Sequence, residues 1–238
     1  MTNILTIFRK ELRSYWNSPV AYIFATVFLA LISWLFFENF FLEGQANLRG
    51  FFGILPLAFV LFVPAVTMRL WAEEKKLGTI ELLMTLPLRD HEVVLGKFLA
   101  AFAFLSMTVL LSFPLPAIVA LLGHPDPGPI VGGYVGALLM GAAFLAIGIF
   151  VSNLTSNQIV ALVLSFLIAI LLLLVDSGAV LSKAPAFLAP AVEFLGVRTH
   201  FESIERGVID SRDLLYFLSV TGFFLYLNVR TIESRKWA

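Results

Sequence analysis

The chain has 238 residues, 60% of them hydrophobic and only 13% charged, with 24 Phe and a mean hydropathy of +0.95. Soluble domains carry about 45–50% apolar and about 25% charged residues, so a water-soluble fold would expose far too much apolar surface, and the solvent of this chain is largely lipid. Lys plus Arg equals Asp plus Glu at 16 each, and cysteine is absent; nothing in the charge balance points to nucleic acid, no disulfide or thiolate metal site can form, and His91, His124 and His200 are too scattered for a metal centre.

Residues 1–18 are expected to form an interfacial helix. Arg9, Lys10, Glu11 and Arg13 interrupt any signal-peptide core. Ile4, Leu5, Phe8, Leu12, Tyr15 and Trp16 recur at helical spacing, with Arg9, Lys10 and Arg13 off that stripe, which suits a helix lying in the membrane surface. Six apolar segments follow, Val20 to Phe41, Phe51 to Met68, Phe98 to Leu122, Ile130 to Val151, Ile159 to Val175 and Leu214 to Val229. A span needs about 20 apolar residues, and these segments are continuous rather than alternating, so they are helices and not barrel strands. A chain of this length is filled by such spans and short loops, so any energy-coupling domain is expected on another polypeptide. The expected fold class is an all-α polytopic membrane protein: one transmembrane domain over 1–238, six transmembrane helices, an inner coupling loop at 70–96 and outer broken half-helices at 176–213.

Orientation follows from the basic residues. With a cytoplasmic N-terminus, eleven lie in inner segments (Arg9, Lys10, Arg13, Arg69, Lys75, Lys76, Arg89, Lys97, Arg230, Arg235, Lys236) and five in outer ones (Arg49, Lys183, Arg198, Arg206, Arg212). Both termini are therefore expected inside.

The inner connection from Arg69 to Lys97 holds ten charged residues and an apolar pattern of its own. Gly78 permits a turn, Thr79 can cap a helix start, and Glu81 in the first turn suits the positive end of the helix dipole. Pro87 and the extended preference it imposes on Leu86 end that helix after about two turns. Leu77, Ile80, Leu83, Met84 and Leu86 are too many apolar groups for a free loop, so the helix is expected to dock on something, either a protein groove or the lipid surface.

Span four is rich in small residues. Gly128, Gly132 and Gly136 recur every fourth position, as do Gly133, Ala137 and Gly141, a spacing that lets helix backbones approach closely, within one chain or between two. The preceding His124-Pro125-Asp126-Pro127-Gly128 reads as an outer turn rather than a metal site. Asn153-Leu154-Thr155 matches a glycosylation acceptor but falls in an inner loop, where the match is accidental. The outer connection from Asp176 to Asp213 is almost forty residues long. Its Phe187 to Leu195 stretch is too short to span and is broken by Pro185 and Pro190; His200 to Val208 reads as a short amphipathic helix with Phe201, Ile204 and Val208 on one side.

Few ionisable residues lie in the spans. Glu38 and Asp176 sit near span ends and are expected to reach water or headgroups, which argues against a proton relay. No G-x-S-x-G, H-E-x-x-H or G-x-x-x-x-G-K-[ST] pattern is present, so an intramembrane hydrolase or an ATP-binding site has no visible basis in this chain.

Glu73-Glu74, then Gly78-Thr79-Ile80-Glu81-Leu82-Leu83 and Pro87, resemble the inner-loop signature of ABC-2 type transporter permeases. Lys10-Glu11-Leu12 with Asn17-Ser18-Pro19-Val20-Ala21-Tyr22-Ile23, Ser152 to Val160, and Arg206-Gly207-Val208-Ile209-Asp210 with Arg235-Lys236-Trp237 resemble the branch of gliding-motility-associated and nitrous-oxide-reductase-maturation permeases. The resemblance implies an inner-membrane subunit of a bacterial ABC transporter, not itself an enzyme. It implies that Glu73, Glu74, Leu77, Gly78, Thr79, Ile80, Glu81, Leu83, Met84 and Pro87 form a coupling helix on a separate ATPase, which would hold the ATP and magnesium. It further implies a second permease chain, like or related, and leaves open whether cargo crosses or the outer loop pulls on an external partner. The rival readings are a membrane anchor without transport and an intramembrane enzyme, the latter disfavoured by the absent catalytic pattern.

Overall fold

The computed structural model describes residues 2–177, 180, 182, 185, 187–208 and 210–235. Lys183, Ile209, Lys236 and Trp237, and the side chains of Met84 and Arg235, all invoked above, lie outside them. Every regular element among the described residues is helical: α1 Thr2–Trp16, α2 Pro19–Glu43, α3 Arg49–Thr67, α4 Arg69–Lys76, α5 Thr79–Thr85, α6 Asp90–Leu110, α7 Pro114–Leu122, α8 Pro127–Leu154, α9 Gln158–Leu174, α10 Ala189–Leu195, α11 Val197–Glu205 and α12 Ser211–Arg235.

Proline and short caps punctuate the chain where their chemistry requires. Pro19 opens α2 and Gly44 closes it in the left-handed region (φ 62°). Asp126 accepts from the Gly128 amide to start α8, so the His124 to Gly128 stretch is a helix-capping turn, and Asn157 accepts from the Ile159 and Val160 amides to start α9. Such side-chain acceptors satisfy amides that have no partner inside the helix.

Among the described residues, five helical stretches are long and apolar enough to cross a membrane: Pro19–Leu42, Arg49–Lys76, Asp90–Leu122, Pro127–Leu154 and Ser211–Ser234. The sequence led to an expectation of six. The segment read as Ile159 to Val175 forms α9, apolar but only 17 residues long, about 25 Å at 1.5 Å per residue against a hydrocarbon core of about 30 Å. It packs along α3 and α8, and touches α4 at one extremity and α11 at the other.

α8 is the hub, packed against α3, α6, α9, α11 and α12, and its small residues decide how close they come. A Cβ at Gly133 would lie 2.5 Å from the Phe52 ring, at Gly141 2.8 Å from Leu105, and at Gly148 2.3 Å from the Thr67 hydroxyl. Gly132 faces the Ile204 carbonyl, and Gly136 faces Phe201 and Ile204. At these four positions and at Gly136 the neighbours that fill the stripe come from this chain's own α3, α6 and α11. Gly128 is exposed and sits in the capping turn.

α1 differs from its expected orientation. Its buried face is Ile7, Glu11 and Tyr15, laid along α6, where Gly96 admits Ile7 at a distance that would put a Cβ 2.7 Å from it. Leu5 and Trp16 stay exposed. The apolar stripe read from the sequence is therefore split between a protein face and an outward face, because α6 offers α1 a better-packed partner than a surface alone.

Two ends of the bundle can be told apart. One carries α1, α4, α5 and the C-terminal turns of α8 and α12, with Asn3 bonded to Glu92 and Asn153 to Asn228; it holds the start of the first described helix and the end of the last, and is called the near end. The far end carries α10, α11 and the turns at 44–48 and 123–126.

Candidate functional site

The near end is organised by α4, which follows α3 after a single residue, Met68. Leu70, Trp71 and Ala72 are buried, and the Trp71 and Ala72 amides donate to the Ser152 hydroxyl at 3.1 and 3.2 Å. These are amides of a first turn, left free by the helix geometry, so a serine 81 residues away in sequence from Trp71 does the capping. The Ser152 hydroxyl donates in turn to the Met68 carbonyl. Lys75 reaches the carbonyl and the Oδ1 of Asn153, and the Asn153 amide group donates to Asn228 Oδ1 at 2.7 Å. Asn153 is fully buried, so its place in a glycosylation triplet is chemically idle. α4 is thereby pinned to α8 and, through Asn153, to α12.

On its other side α4 is held by Lys97 of α6, a lysine only 1% exposed. Lys97 Nζ lies 3.0 Å from Glu11 Oε1 and 2.8 Å from Glu74 Oε1, donates to the Leu70 carbonyl at 2.9 Å and sits 4.9 Å from the Trp71 ring. Three donors, three acceptors and an aromatic face account for the whole ammonium. Lys10 adds a second cation to both carboxylates at 3.1 and 3.3 Å. Burial opposes ionisation of Glu11, but Lys97 and Lys10 beside it hold its carboxyl below the ordinary range. α1, α4 and α6 therefore meet on one buried charge cluster, while Arg69 stacks over Tyr15 and donates to Ser18, tying α4 to the α1–α2 junction.

From this clamp α5 projects. Leu77 ends α4, and Gly78 turns the chain with φ 71°, a left-handed conformation in which a side chain would be strained. Thr79 was read as a cap; Gly78 occupies that position instead, and the Thr79 hydroxyl bonds back to the Glu74 carbonyl at 3.3 Å, closing the turn from inside. The helix ends at Thr85, with Leu86 extended (ψ 148°) ahead of Pro87. Its faces are not those expected. Ile80 and Leu83 are half-buried against the core, whereas Leu77 (67%), Leu82 (70%) and Leu86 (52%) are the exposed leucines; the α4–α5 turn rolls the helix so that Ile80 and Leu83 close over the bundle. Glu73, Glu81 and Pro87 are exposed and Glu74 is half-buried in the charge cluster. Between α1, α4 and α5 lies an open cavity of about 570 Å³, with Lys10, Glu73, Thr79, Leu82 and Leu86 on its walls.

Sequence reasoning gives Lys97 only as an inner basic residue and Ser152 and Asn153 only within motif stretches, and does not point to Asn228; it assigns none of them this clamp. Lys97 sits one residue before an apolar run and reads there as a flanking charge. The available signal was Glu11, spaced four residues from both Ile7 and Tyr15 and so on their face of α1, which requires a buried cation opposite it.

At the far end, Asp176 is half-buried and its Oδ2 accepts from the Thr199 amide and hydroxyl at 2.8 and 3.1 Å, capping α11 from the end of α9. His200 lies between Asp213 (2.6 Å) and the Phe194 carbonyl (3.1 Å) and stacks on Tyr216 at 4.0 Å, while Tyr216 donates to the Leu195 carbonyl. Val197, His200, Phe201 and Ile204 form the buried face of α11; Val208, read as part of that face, lies beyond the helix and is exposed. The outer segment is thus fastened to α8, α9 and α12.

Several long apolar helices, joined at one end by a charge cluster that holds out a short helix flanked by exposed leucines, fit a multi-pass helical membrane protein. Residues 5–228 match the family model described as ABC-2 family transporter protein, and the chain belongs to that family. Membership implies a permease subunit of an ABC transporter, partnered by an ABC ATPase. No curated protein matches the chain.

Proposed function

We propose that this chain is the permease subunit whose near end is gripped at α5 by a separate ATPase subunit, which holds the ATP and magnesium. The observation that carries the reading is the exposed leucines Leu77, Leu82 and Leu86, one on α5 and one just beyond each of its ends, a helix too short to be lipid-anchored and rooted in α4. Exposed apolar side chains on and around a short projecting helix fit a groove on a protein partner, with Glu73 and Glu81 at their flanks. Because α4 is fixed to α1 and α6 by Lys97 and to α8 and α12 by Asn153, a displacement of α5 moves several helices together rather than bending a loop, as rigid-body switching requires. Glu73, Glu74, Gly78, Thr79, Ile80, Leu83, Met84 and Pro87 belong to this element as shaping or contact residues.

The rest of the reading is that the chain makes six passes in a bacterial cytoplasmic membrane with both termini inside, works beside a second permease chain, and falls in the branch resembling gliding-motility-associated and nitrous-oxide-reductase-maturation permeases. The far-end segment then either gates an exit or meets an external partner.

The test is Leu82→Asp in the full chain, co-expressed with its ATPase. Membrane insertion should be unchanged, co-purification of the ATPase should fall about tenfold or more, in line with an interface anchor worth about 2 kcal/mol, and hydrolysis should lose its dependence on the permease. Leu122→Ala at the far end should do none of this. Full ATPase association in Leu82→Asp would replace coupling at α5 with a membrane-anchor role.

A further inference from the structure

At the far end a cavity of about 800 Å³ opens between the start of α3, the end of α9 and the side of α11. Its two halves differ in chemistry. Leu57, Leu173 and Leu174 line the part set into the helical bundle, and Leu57 and Leu174 keep about half of their surface exposed. Arg49, Arg198 and Arg206 stand around the part at the helix ends.

The arginines are only partly neutralised. Glu202 serves two of them, at 2.6 Å from Arg198 and 3.7 Å from Arg206, whereas Arg49 forms no ion pair among the described residues. Asp176 adds a further attraction on Arg198 but is engaged by the Thr199 amide and hydroxyl, and the last acid is Glu205, whose carboxyl is pushed up to about 7, first by burial and then by Glu202, against the pull of Arg49, Arg206 and Arg198. At neutral pH much of that negative charge is absent, and the rim is cationic.

We propose that this cavity binds one anionic amphiphile, a phosphate-bearing lipid headgroup held by Arg49, Arg198 and Arg206 with its acyl chains over Leu57 and Leu174. The guanidinium fork matches phosphate oxygens in a way a point charge does not. The volume is that of a ligand pocket rather than of a surface dent. The apolar half continues into the exposed leucines Leu167 and Leu171 along α9, a surface suited to hydrocarbon, so a ligand can slide in from the leaflet with its chains still in lipid. A free anion would use the rim and leave the leucines idle. This site is independent of coupling at α5, being built from α3, α9 and α11.

The test uses the full chain in a non-ionic detergent, titrated with dihexanoyl-phosphatidylglycerol, dihexanoyl-phosphatidylcholine or inorganic phosphate, and read by the shift in melting temperature and by native mass spectrometry. The phosphatidylglycerol should bind saturably, at least tenfold tighter than the phosphatidylcholine, with no comparable effect of inorganic phosphate. Arg49→Gln with Arg206→Gln should weaken it about tenfold while leaving the lipid-free melting temperature within a few degrees, Arg49→Lys with Arg206→Lys should weaken it less, and Glu205→Gln should tighten it at pH 8. Equal binding of both lipids, unchanged binding in the double Gln variant, or an equal effect of inorganic phosphate would overturn the assignment.

Discussion

Lys97 shows how a single side chain can hold an end of the bundle together. Removing one member of a buried charge cluster leaves the others unpaired, at a cost of about 3–5 kcal/mol, whereas replacing the whole set by neutral groups is far cheaper. Lys97→Met should therefore destabilise the chain by about 3 kcal/mol, because Glu11 and Glu74 keep only Lys10, and adding Glu11→Gln and Glu74→Gln should restore most of it; melting of the single and triple variants beside the unsubstituted chain checks this, and equal instability of the triple variant would contradict it. Glu205 at the far end behaves in the opposite sense. Its carboxyl is raised to about 7 by burial and by Glu202, so the stabilisation is complete at pH values below the unfolded-state pKa and is lost as pH rises through about 7. The loss should be about 1 kcal/mol once solvent screening of a part-exposed group is allowed for, and Glu205→Gln should flatten this part of the pH–stability profile measured between pH 5 and 8.

At the scale of elements, α8 and α11 are joined so closely that glycine is a requirement. A Cβ at Gly132 would fall 2.4 Å from the Ile204 carbonyl oxygen and 3.1 Å from Gly207 Cα, both backbone, so neither can swing away. Gly132→Val should cost about 1–3 kcal/mol and release α11, read as faster proteolysis between α10 and α12, while Gly222→Ala, with open space around it, should be neutral or slightly stabilising. Much of this level was legible in the sequence: the small-residue stripe, the turn at Gly78, the stop at Pro87 and the broken outer segment are all local chemistry. What escaped was rotation about helix axes. Period alone gives α1 and α5 an apolar stripe, but which leucines face outward depends on what a neighbour offers. For α1 the neighbour is α6, with Gly96 opposite Ile7; for α5 it is the core beneath Ile80 and Leu83. The polar clamp of Ser152, Asn153 and Asn228 escaped for the same reason: its members are 75 or more residues apart from one another's partners in α4 and α12, and nothing local marks them.

For the molecule as a whole, the open question is what α9 does with 17 residues. If it does not cross, the passes before and after it no longer alternate, and α12 would enter from the wrong side. Yet α9 touches α4 at the near end and α11 at the far end, and Asp176 just beyond it caps α11, so its two extremities lie at opposite ends of the same bundle. A helix of about 25 Å can span if the bilayer thins or if flanking polar residues reach the headgroups; Asn157 at its start and Asp176 beyond its end are placed to do so. The chain has no cysteine, so single cysteines report their side without background. We expect Asn3→Cys, Lys76→Cys, Ser156→Cys and Ser234→Cys to react with a membrane-impermeant maleimide only after the cytoplasmic face is opened, and His124→Cys and Val208→Cys to react in intact cells. The decisive position is Ser156. If it reacts from the same side as His124, α8 does not cross to the near-end side; if Ser156 reacts from inside while Val208 does too, α9 is the pass that fails, and the six-pass topology falls with it.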